Sequence, residues 1–408
     1  MPTLGSLFDG SGGFPLAGSL CGISPAWASE VRPYPIAVTK ERFISMKHLG
    51  DVRYVSGFNI QPVDVITFGS PCQNLSCAGD RAGVKHLSKG DIETSQSGLF
   101  LDAIRIIKEM RKATNGEYPK FAIFENVVGA FSSNGGNDFR TILEEFIKTV
   151  EPEAVMPQVP KGGWPHADNY VGDGWSIAYR VFNSQYIRTA QKRRRIYLVL
   201  DLTGQRAGKI LFEREGLRAD LAPCKETWEG FRPGIRESLV AMYGASELSN
   251  LFPCRDTSLI AVTSYSDAMP SYCVGNGQAN QSFIREAVGT LNCMHDQQSV
   301  MVWKDGRYQI RRLMPTECAR LQGFPDQWSC ISKKDSLNDD EYLFWLTVRQ
   351  KEAELKERPK KEYTREQMLR WYNSLHSDTA EYHMWGGGVA LPCTLYVMQG
   401  VSEALFNT

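Results

Sequence analysis

Among its ten cysteines and six histidines, this 408-residue chain has no C-x-x-C pair and no His/Cys ligand spacing. That absence argues against a structural zinc site or a disulfide framework, so free thiols, no metal and a reducing compartment are expected. Net charge is missing too, at +0, so the molecule as a whole supplies no steering field and any hold on nucleic acid must come from a local basic surface. Met1-Pro2-Thr3-Leu4-Gly5 does not begin a basic leader, and charges interrupt every apolar stretch before it reaches bilayer length. These features predict a cytoplasmic protein with no membrane partner. Repeats and low-complexity tracts are also lacking. What is present is 42% hydrophobic content, ordinary for a globular protein and enough, at this length, for two packed domains.

The first two hundred residues repeat one theme: a short apolar strand, a turn rich in Gly, Pro, Asp or Asn, then helical spacing. That pattern predicts an α/β fold with a mainly parallel sheet. Strands are expected over Thr3 to Phe8, Ala26 to Ser29, Val63 to Phe68, Phe121 to Phe124, Ser176 to Phe182 and Arg195 to Leu200. Leu99 to Met110 and Phe139 to Val150 carry apolar residues at helical spacing and should flank the sheet. After about residue 200 the pattern breaks into short strand-like pieces, predicting a smaller irregular domain over 201–330. A charge-dense stretch of helix formers over 331–380 reads as a solvated helical insertion. Residues 381–408, with Gly386-Gly387-Gly388-Val389 and a last apolar helix, rejoin residues 1–200.

Chemistry-bearing residues sit where strands end. Gly69-Ser70-Pro71-Cys72-Gln73-Asn74 follows the apolar run Val63–Phe68, which places a thiol at a sharp turn beyond a buried strand. Glu125-Asn126-Val127 closes the next apolar run with a carboxyl group. Phe8-Asp9-Gly10-Ser11-Gly12-Gly13-Phe14 allows close backbone approach to a ligand, and Glu30, some 20 residues on, stands where a ribose-binding acid belongs. Together they suggest a nucleoside-containing cofactor. Asp51 reads either as a contact to its far end or as a turn or helix cap. In Gln191-Lys192-Arg193-Arg194-Arg195-Ile196, strand alternation puts Gln191, Arg193 and Arg195 on one face, suited to phosphate contact.

This ordered set resembles the cytosine C5 DNA methyltransferases that use S-adenosylmethionine. The likeness rests on the Phe8–Phe14 loop, Pro71-Cys72-Gln73, Glu125-Asn126-Val127, Gln191-x-Arg193-x-Arg195, Arg312-Leu313-Met314-Pro315-Thr316-Glu317-Cys318-Ala319-Arg320-Leu321-Gln322-Gly323-Phe324-Pro325 and the closing Val389 segment. It implies a Rossmann-like methyltransferase catalytic domain over 1–200 and 381–408 and a target-recognition domain over 201–330. It also implies S-adenosyl-L-methionine held by Phe8, Asp9, Gly10, Gly12, Gly13, Glu30, Asp51 and Pro71. Cys72, Glu125, Arg193 and Arg195 would be catalytic, with Gln73, Gln191, Arg193 and Arg195 on double-stranded DNA. The implied protein works as a monomer, in restriction-modification or orphan methylation, with a companion restriction endonuclease left open.

The implied reaction is one cytosine chemistry requires. Carbon 5 is too weak a nucleophile until a group adds to carbon 6, which a Cys72 thiolate would do while Glu125 holds the N3 and amino edge. The base must first leave the stack, at roughly a few kcal/mol. Two positions depart from the family pattern: Gly387 stands where an Asn is usual, and Arg188-Thr189-Ala190 replaces a Gly-Val-Pro turn. Two other readings stay open at this point: the same scaffold acting on transfer RNA, and a catalytically silent DNA-binding protein. Thr290-Leu291 resembles a dipeptide of target-recognition regions, and equally an ordinary strand pair.

Overall fold

A computed structural model describes residues 1–70, 96–187, 189–212, 272–274, 283–285, 287–291, 299–304 and 306–406. An eight-stranded sheet forms the centre, in the order β3-β2-β1-β4-β5-β8-β7-β6. Its strands are β1 (Thr3–Leu7), β2 (Ser24–Ser29), β3 (Lys47–His48), β4 (Val65–Phe68), β5 (Phe121–Val127), β6 (Ala167–Gly172), β7 (Trp175–Asn183) and β8 (Arg194–Asp201). β1 to β5 pair in parallel, while β8 runs antiparallel to β5 and begins an antiparallel flank with β7 and β6. All six strands expected from the sequence are present. The two that pattern reading missed are the edge strands, β3 with two residues and β6 with alternating exposure. Half-solvated edges lack the continuous apolar runs that mark buried parallel strands.

The central strands are buried on both faces. In β5, Phe121 and Ile123 enter the core on one side, and Ala122 and Phe124 the core on the other. Helix α1 (Gly13–Leu20) lies on the first side, α2 (Pro33–Arg42) follows β2, and α3 (Gln96–Ala113) and α4 (Asn137–Ile147) cover the second side. Phe100, Ala103, Ile107 and Met110 of α3 and Phe139, Ile142, Leu143 and Phe146 of α4 form buried stripes of the kind an amphipathic helix presents to a sheet. Phe68, Phe100, Phe124 and Phe146 pack with ring centroids 5.1 to 6.2 Å apart behind the ends of β4 and β5. Such a cluster fixes where those strand ends lie.

Beyond the short helix α5 (Ala207–Leu211), a four-stranded antiparallel sheet runs in the order β10-β9-β11-β12. Its strands are β9 (Tyr272–Val274), β10 (Phe283–Arg285), β11 (Ser299–Lys304) and β12 (Arg307–Arg312). Helix α6 (Pro315–Leu321) follows, with its N-terminal turn held by Glu317, which accepts from the Met314 amide at 2.7 Å and from Arg311 at 2.7 and 2.8 Å. The last four helices are α7 (Asp339–Leu355), α8 (Arg365–Tyr372), α9 (Asp378–Gly387) and α10 (Leu391–Phe406). Asn338 with Glu341 and Thr364 with Gln367 make capping boxes at the starts of α7 and α8.

The expectation of a solvated insertion needs correction. α7 and α8 do carry charged outer faces, but Trp345, Met368 and Tyr372 are buried together against Ile36 and Ala37 of α2. The aromatics spaced among the charges are the buried stripe. Helix α10 packs on α1, where Ser402 Oγ donates to the Cys21 carbonyl at 2.7 Å. Among the described residues no single helix is long and apolar enough to cross a membrane. The bent pair α9 and α10, apolar enough in composition, puts Met384, Trp385, Val397 and Met398 in the core.

Candidate active site

The parallel strands β1 to β5 end at one edge of the sheet, and the order changes direction between β1 and β4, where open α/β sheets leave a crevice. Each strand delivers one piece of the site. After β1 the chain turns sharply: Phe8, Gly10 and Gly12 have φ of +55°, +56° and +76°. Phe8 is not glycine, so its left-handed backbone stores about 1–3 kcal/mol of strain, the kind of cost that concentrates at functional turns.

Glu30, just past β2, ties down this loop. Its Oε2 accepts the Gly10 amide at 2.8 Å, while Oε1 accepts the Val31 and Arg32 amides at 2.9 and 3.0 Å. Burial works to raise the Glu30 carboxyl, but the Arg32 charge and these donors outweigh it and hold it below the usual range. Asp9 is different. Its Oδ1 accepts Ser6 Oγ at 2.7 Å, but Oδ2 is buried without a partner, and burial pushes the carboxyl up to about 7. Ser11 Oγ is also buried without a partner.

Gly13 faces the closing segment of the chain, and Gly12 faces Thr39 of α2 and Trp328. A Cβ on Gly13 would lie 2.4 Å from Val389 Cγ2, and one on Gly12 would lie 2.8 Å from Thr39 Cγ2. Trp328 Nε1 donates to the Ser11 carbonyl at 2.7 Å. Trp328 thus reaches the loop from over 300 residues away, and no local pattern in the sequence marked it. Gly387 is the last residue of α9, and Gly388 follows against Ser11, whose Oγ would be 2.9 Å from an added Cβ.

Asp51, after β3, caps a 3-10 turn over Val52–Tyr54: its Oδ1 accepts the Arg53 amide at 3.0 Å. Arg53 Nη2 meets Oδ2 at 2.7 Å, and Lys351 of α7 reaches the same oxygen at 3.2 Å. Burial opposes ionisation here, but the Arg53 and Lys351 donors prevail and hold the carboxyl low. Of the two roles the sequence left open for Asp51, the cap is the one seen. These residues fit a nucleoside-bearing group: left-handed turns bring the backbone close, and the buried atoms Asp9 Oδ2 and Ser11 Oγ lack partners.

At the far side of the switch, Glu125 lies two residues before the end of β5, inside the strand rather than at its tip. A Cβ on Gly69, which follows β4, would lie 3.2 Å from Glu125 Oε2, so the turn that begins at Gly69 leaves alongside this carboxylate. Pro71, Cys72 and Gln73 themselves lie outside the described residues. Arg195 Nε stands 3.1 Å from Glu125 Oε1, an ion pair whose N–H is not aimed along the line of a hydrogen bond. Cys393, close enough to Glu125 to feel its charge, is pushed up to about 12, by burial first and by Glu125 second. It stays a thiol at neutral pH.

The expected shared face of Gln191, Arg193 and Arg195 is there, with Lys192 and Arg194 exposed between them, but the three do not share one job. Arg193 is 3% exposed, and its guanidinium donates to the carbonyls of Leu291 at 2.9 Å and Gly388 at 2.7 Å. Beside the phosphate contact expected of it, the side chain has a packing role, clamping three segments of chain. Gln191 is fully buried, and neither end of its amide has a partner. Arg195 is the one paired with Glu125. Thr290-Leu291 docks on this strand, Thr290 Oγ1 donating to the Lys192 carbonyl at 2.8 Å. Residue 188 is outside the described residues; Thr189 and Ala190 beside it are buried.

With this arrangement in view, comparison with known proteins is decisive about family. The model of the C-5 cytosine-specific DNA methylase family matches residues 3–149 and 169–341. The chain belongs to that family. Among curated relatives, the DNA N-6-adenine-methyltransferase of Escherichia phage P1 is 24% identical over 83% of this chain and 55% of its own length. Type II methyltransferase M.HhaI of Haemophilus parahaemolyticus is 26% identical over 79% of this chain and 84% of its own. The chain therefore spans little more than half of the phage relative. A crystal structure of Dnmt2 methyltransferase from S. pombe superposes with a TM-score of 0.53 at 14% identity, covering 100% of both chains, a likeness of fold. The Rossmann-like architecture of this chain, a mostly parallel sheet plus a smaller antiparallel one, follows from both observations.

Proposed function

We propose that this methylase transfers a methyl group from S-adenosyl-L-methionine to carbon 5 of a cytosine in double-stranded DNA, through a transient bond to Cys72. The observation that carries the reading is the meeting of Glu125 with the start of the Gly69-Ser70-Pro71-Cys72 turn, opposite Arg195 and on the same sheet edge as the glycine loop. The cofactor supplies a methyl carbon activated by its sulfonium. Phe8, Asp9, Gly10, Gly12, Gly13, Glu30 and Pro71 are the residues that would hold it, with Asp51 at its far end.

Cys72 Sγ, as thiolate, bonds to carbon 6 of the extruded base, and the ring electrons move toward carbon 5, which then takes the methyl. Glu125 accepts from the exocyclic amine and shares a proton with N3, so that the negative charge driven onto the ring by the addition is met by a donor. Arg195, next to it, keeps that carboxylate oriented and is a candidate for the nucleotide phosphate. Loss of the carbon 5 proton and departure of Cys72 restore the ring as 5-methylcytosine. Residues 201–330 supply recognition of the site, and Gln73 contacts the DNA. The protein acts as a monomer in the cytoplasm, within restriction-modification or as an orphan enzyme.

The test is methyl transfer from labelled S-adenosylmethionine to duplex DNA, followed by digestion to nucleosides. Label in 5-methylcytosine is expected. Label in N6-methyladenine, the product named by the phage P1 relative, would replace this reading, and uptake by transfer RNA alone would replace its substrate. On duplex DNA carrying 5-fluorocytosine the wild type should stall as a covalent complex and Cys72→Ser should not; a complex with the variant would remove Cys72 as the nucleophile.

A further inference from the structure

The 331–380 segment reaches the candidate cofactor edge through helix α7. Helix α7 lies against α2 and sends Lys351 back toward the turn after β3. There the Lys351 ammonium meets Asp51 Oδ2 at 3.2 Å, Glu354 Oε1 at 2.7 Å and the Tyr54 ring at 4.1 Å from its centroid. The pair is partly sheltered, with Lys351 18% and Asp51 4% exposed in their side chains. The backbone of the turn it grips is anchored separately: Arg105 of α3 donates to the Val52 and Val55 carbonyls at 3.2 and 2.8 Å, and the Leu49 amide donates to the Ala28 carbonyl at 2.8 Å. Gly50, at φ +75°, has nothing within 4 Å of where a Cβ would stand, and its carbonyl is held by Ser29 Oγ at 2.6 Å. Arg53, the other partner of the carboxylate, comes from the same turn and so cannot fix it to the rest of the molecule.

We propose that Lys351 is a positioning residue of the cofactor site, by which the inserted helix α7 orients the Asp51 carboxylate and sets cofactor affinity. The proposal rests on the cofactor reading above. A cation from a separate helix neutralises one oxygen of Asp51 and orients its carboxylate on a turn whose backbone Arg105 already anchors, leaving the backbone and the other acceptors to meet the nucleoside end. The rest of α7 secures that reach: Trp345 is buried, Phe344 packs edge-on to His48 of β3 with centroids 6.3 Å apart, and Lys40 sits 4.5 Å over the Phe344 ring. Residues that a family pattern would pass over as an insertion thereby form the outer support of the site.

The test is calorimetric binding of S-adenosylhomocysteine to the full chain, with initial rates over a range of S-adenosylmethionine. Lys351→Met is expected to raise the dissociation constant and the cofactor KM about three- to tenfold, the scale of a part-sheltered ion pair, with kcat within about twofold. Lys351→Arg should restore most of the affinity. Lys356→Met, which removes a cation paired with Glu352 on the same helix, should change nothing. The inference is overturned if Lys351→Met binds like the wild type while Asp51→Asn is weakened, or if kcat and melting temperature fall together with affinity. Wild-type protein that does not bind S-adenosylhomocysteine would overturn the cofactor reading as well.

Discussion

Arg195 approaches Glu125 diagonally across two antiparallel strands: Glu125 pairs in register with Tyr197, and Arg195 with Val127, yet their side chains come within 3.1 Å. Diagonal neighbours on one face of a sheet can be reached by long side chains, so the pairing of β5 with β8 sets this contact. Glu125→Gln keeps the shape and removes the charge. The methylation rate is expected to fall by a factor on the order of 10² to 10⁴, as for loss of a positioned acid-base group, with the melting temperature nearly unchanged. Arg195→Lys keeps a charge but not the planar fork, and should lower kcat rather than weaken DNA binding alone. Steady-state kinetics beside a thermal melt separates these outcomes.

Arg193 behaves as a bracket. Removing it leaves the Leu291 and Gly388 carbonyls without their donor, and each lost buried hydrogen bond to a charged group costs about 1.5–3 kcal/mol. Arg193→Ala is expected to lose about 2–4 kcal/mol in urea unfolding. Arg193→Lys, with one compact ammonium, should recover only part of that. A variant that unfolds like the wild type but has lost DNA affinity would leave only the phosphate role.

Gly13 allows the glycine loop and the closing segment to touch. Gly13→Ala puts a methyl 2.4 Å from Val389 Cγ2 and is expected to cost about 1–3 kcal/mol as overpacking. Val389→Ala removes the obstructing methyl, so the double variant should recover part of the loss. Additive losses in a double-mutant cycle of melting curves would show that the two residues do not meet.

Residues whose place depends on their own strand were legible in the sequence. Glu125 and Glu30 follow buried runs and lie at the edge where such runs end, because a parallel sheet brings those ends together. Arg193 and Asp51 show the boundary of that reasoning. Alternation placed Arg193 on the correct face, but its partners at Leu291 and Gly388 lie about one hundred and two hundred residues away. Asp51 was readable as a cap, while its ion pair to Lys351, three hundred residues distant, was not. Periodicity reports which side a residue faces. It carries nothing about which distant segment closes over it, and that is how Trp328, Lys351 and the packing of Trp345 on α2 escaped notice.

Two buried titratable groups pull stability in opposite directions with pH. Asp9, raised to about 7 by burial, keeps its proton in the fold between pH 4 and 7 while the unfolded chain loses it. The folded state binds more protons in that window, so stability falls as pH rises, by up to roughly 4 kcal/mol at pH 8. Asp9→Asn preserves an acceptor for Ser6 Oγ and removes the titration. Its melting temperature should match wild type near pH 4 and exceed it at pH 8. Equal melting temperatures at both pH values would place Asp9 in contact with solvent.

His48 works from the other side. Both ring nitrogens are buried without partners, and burial, then the charge of Lys40, lowers it to about 4. Below an ordinary histidine value the unfolded chain takes up a proton that the fold refuses, so stability is lost as pH falls from about 6.5 to 4, by roughly 2–3 kcal/mol. His48→Phe should abolish that loss if the ring fits beneath Phe344, and His48→Gln tests the same point with less bulk. The wild type should therefore show a flattened pH profile in which one loss masks the other. Asp9→Asn alone should uncover acid sensitivity between pH 6.5 and 4, His48→Phe alone should uncover alkaline sensitivity between pH 4 and 7, and the double variant should be flat again. A single variant whose melting curve keeps the wild-type pH profile would mean that its residue is not buried as the fold places it.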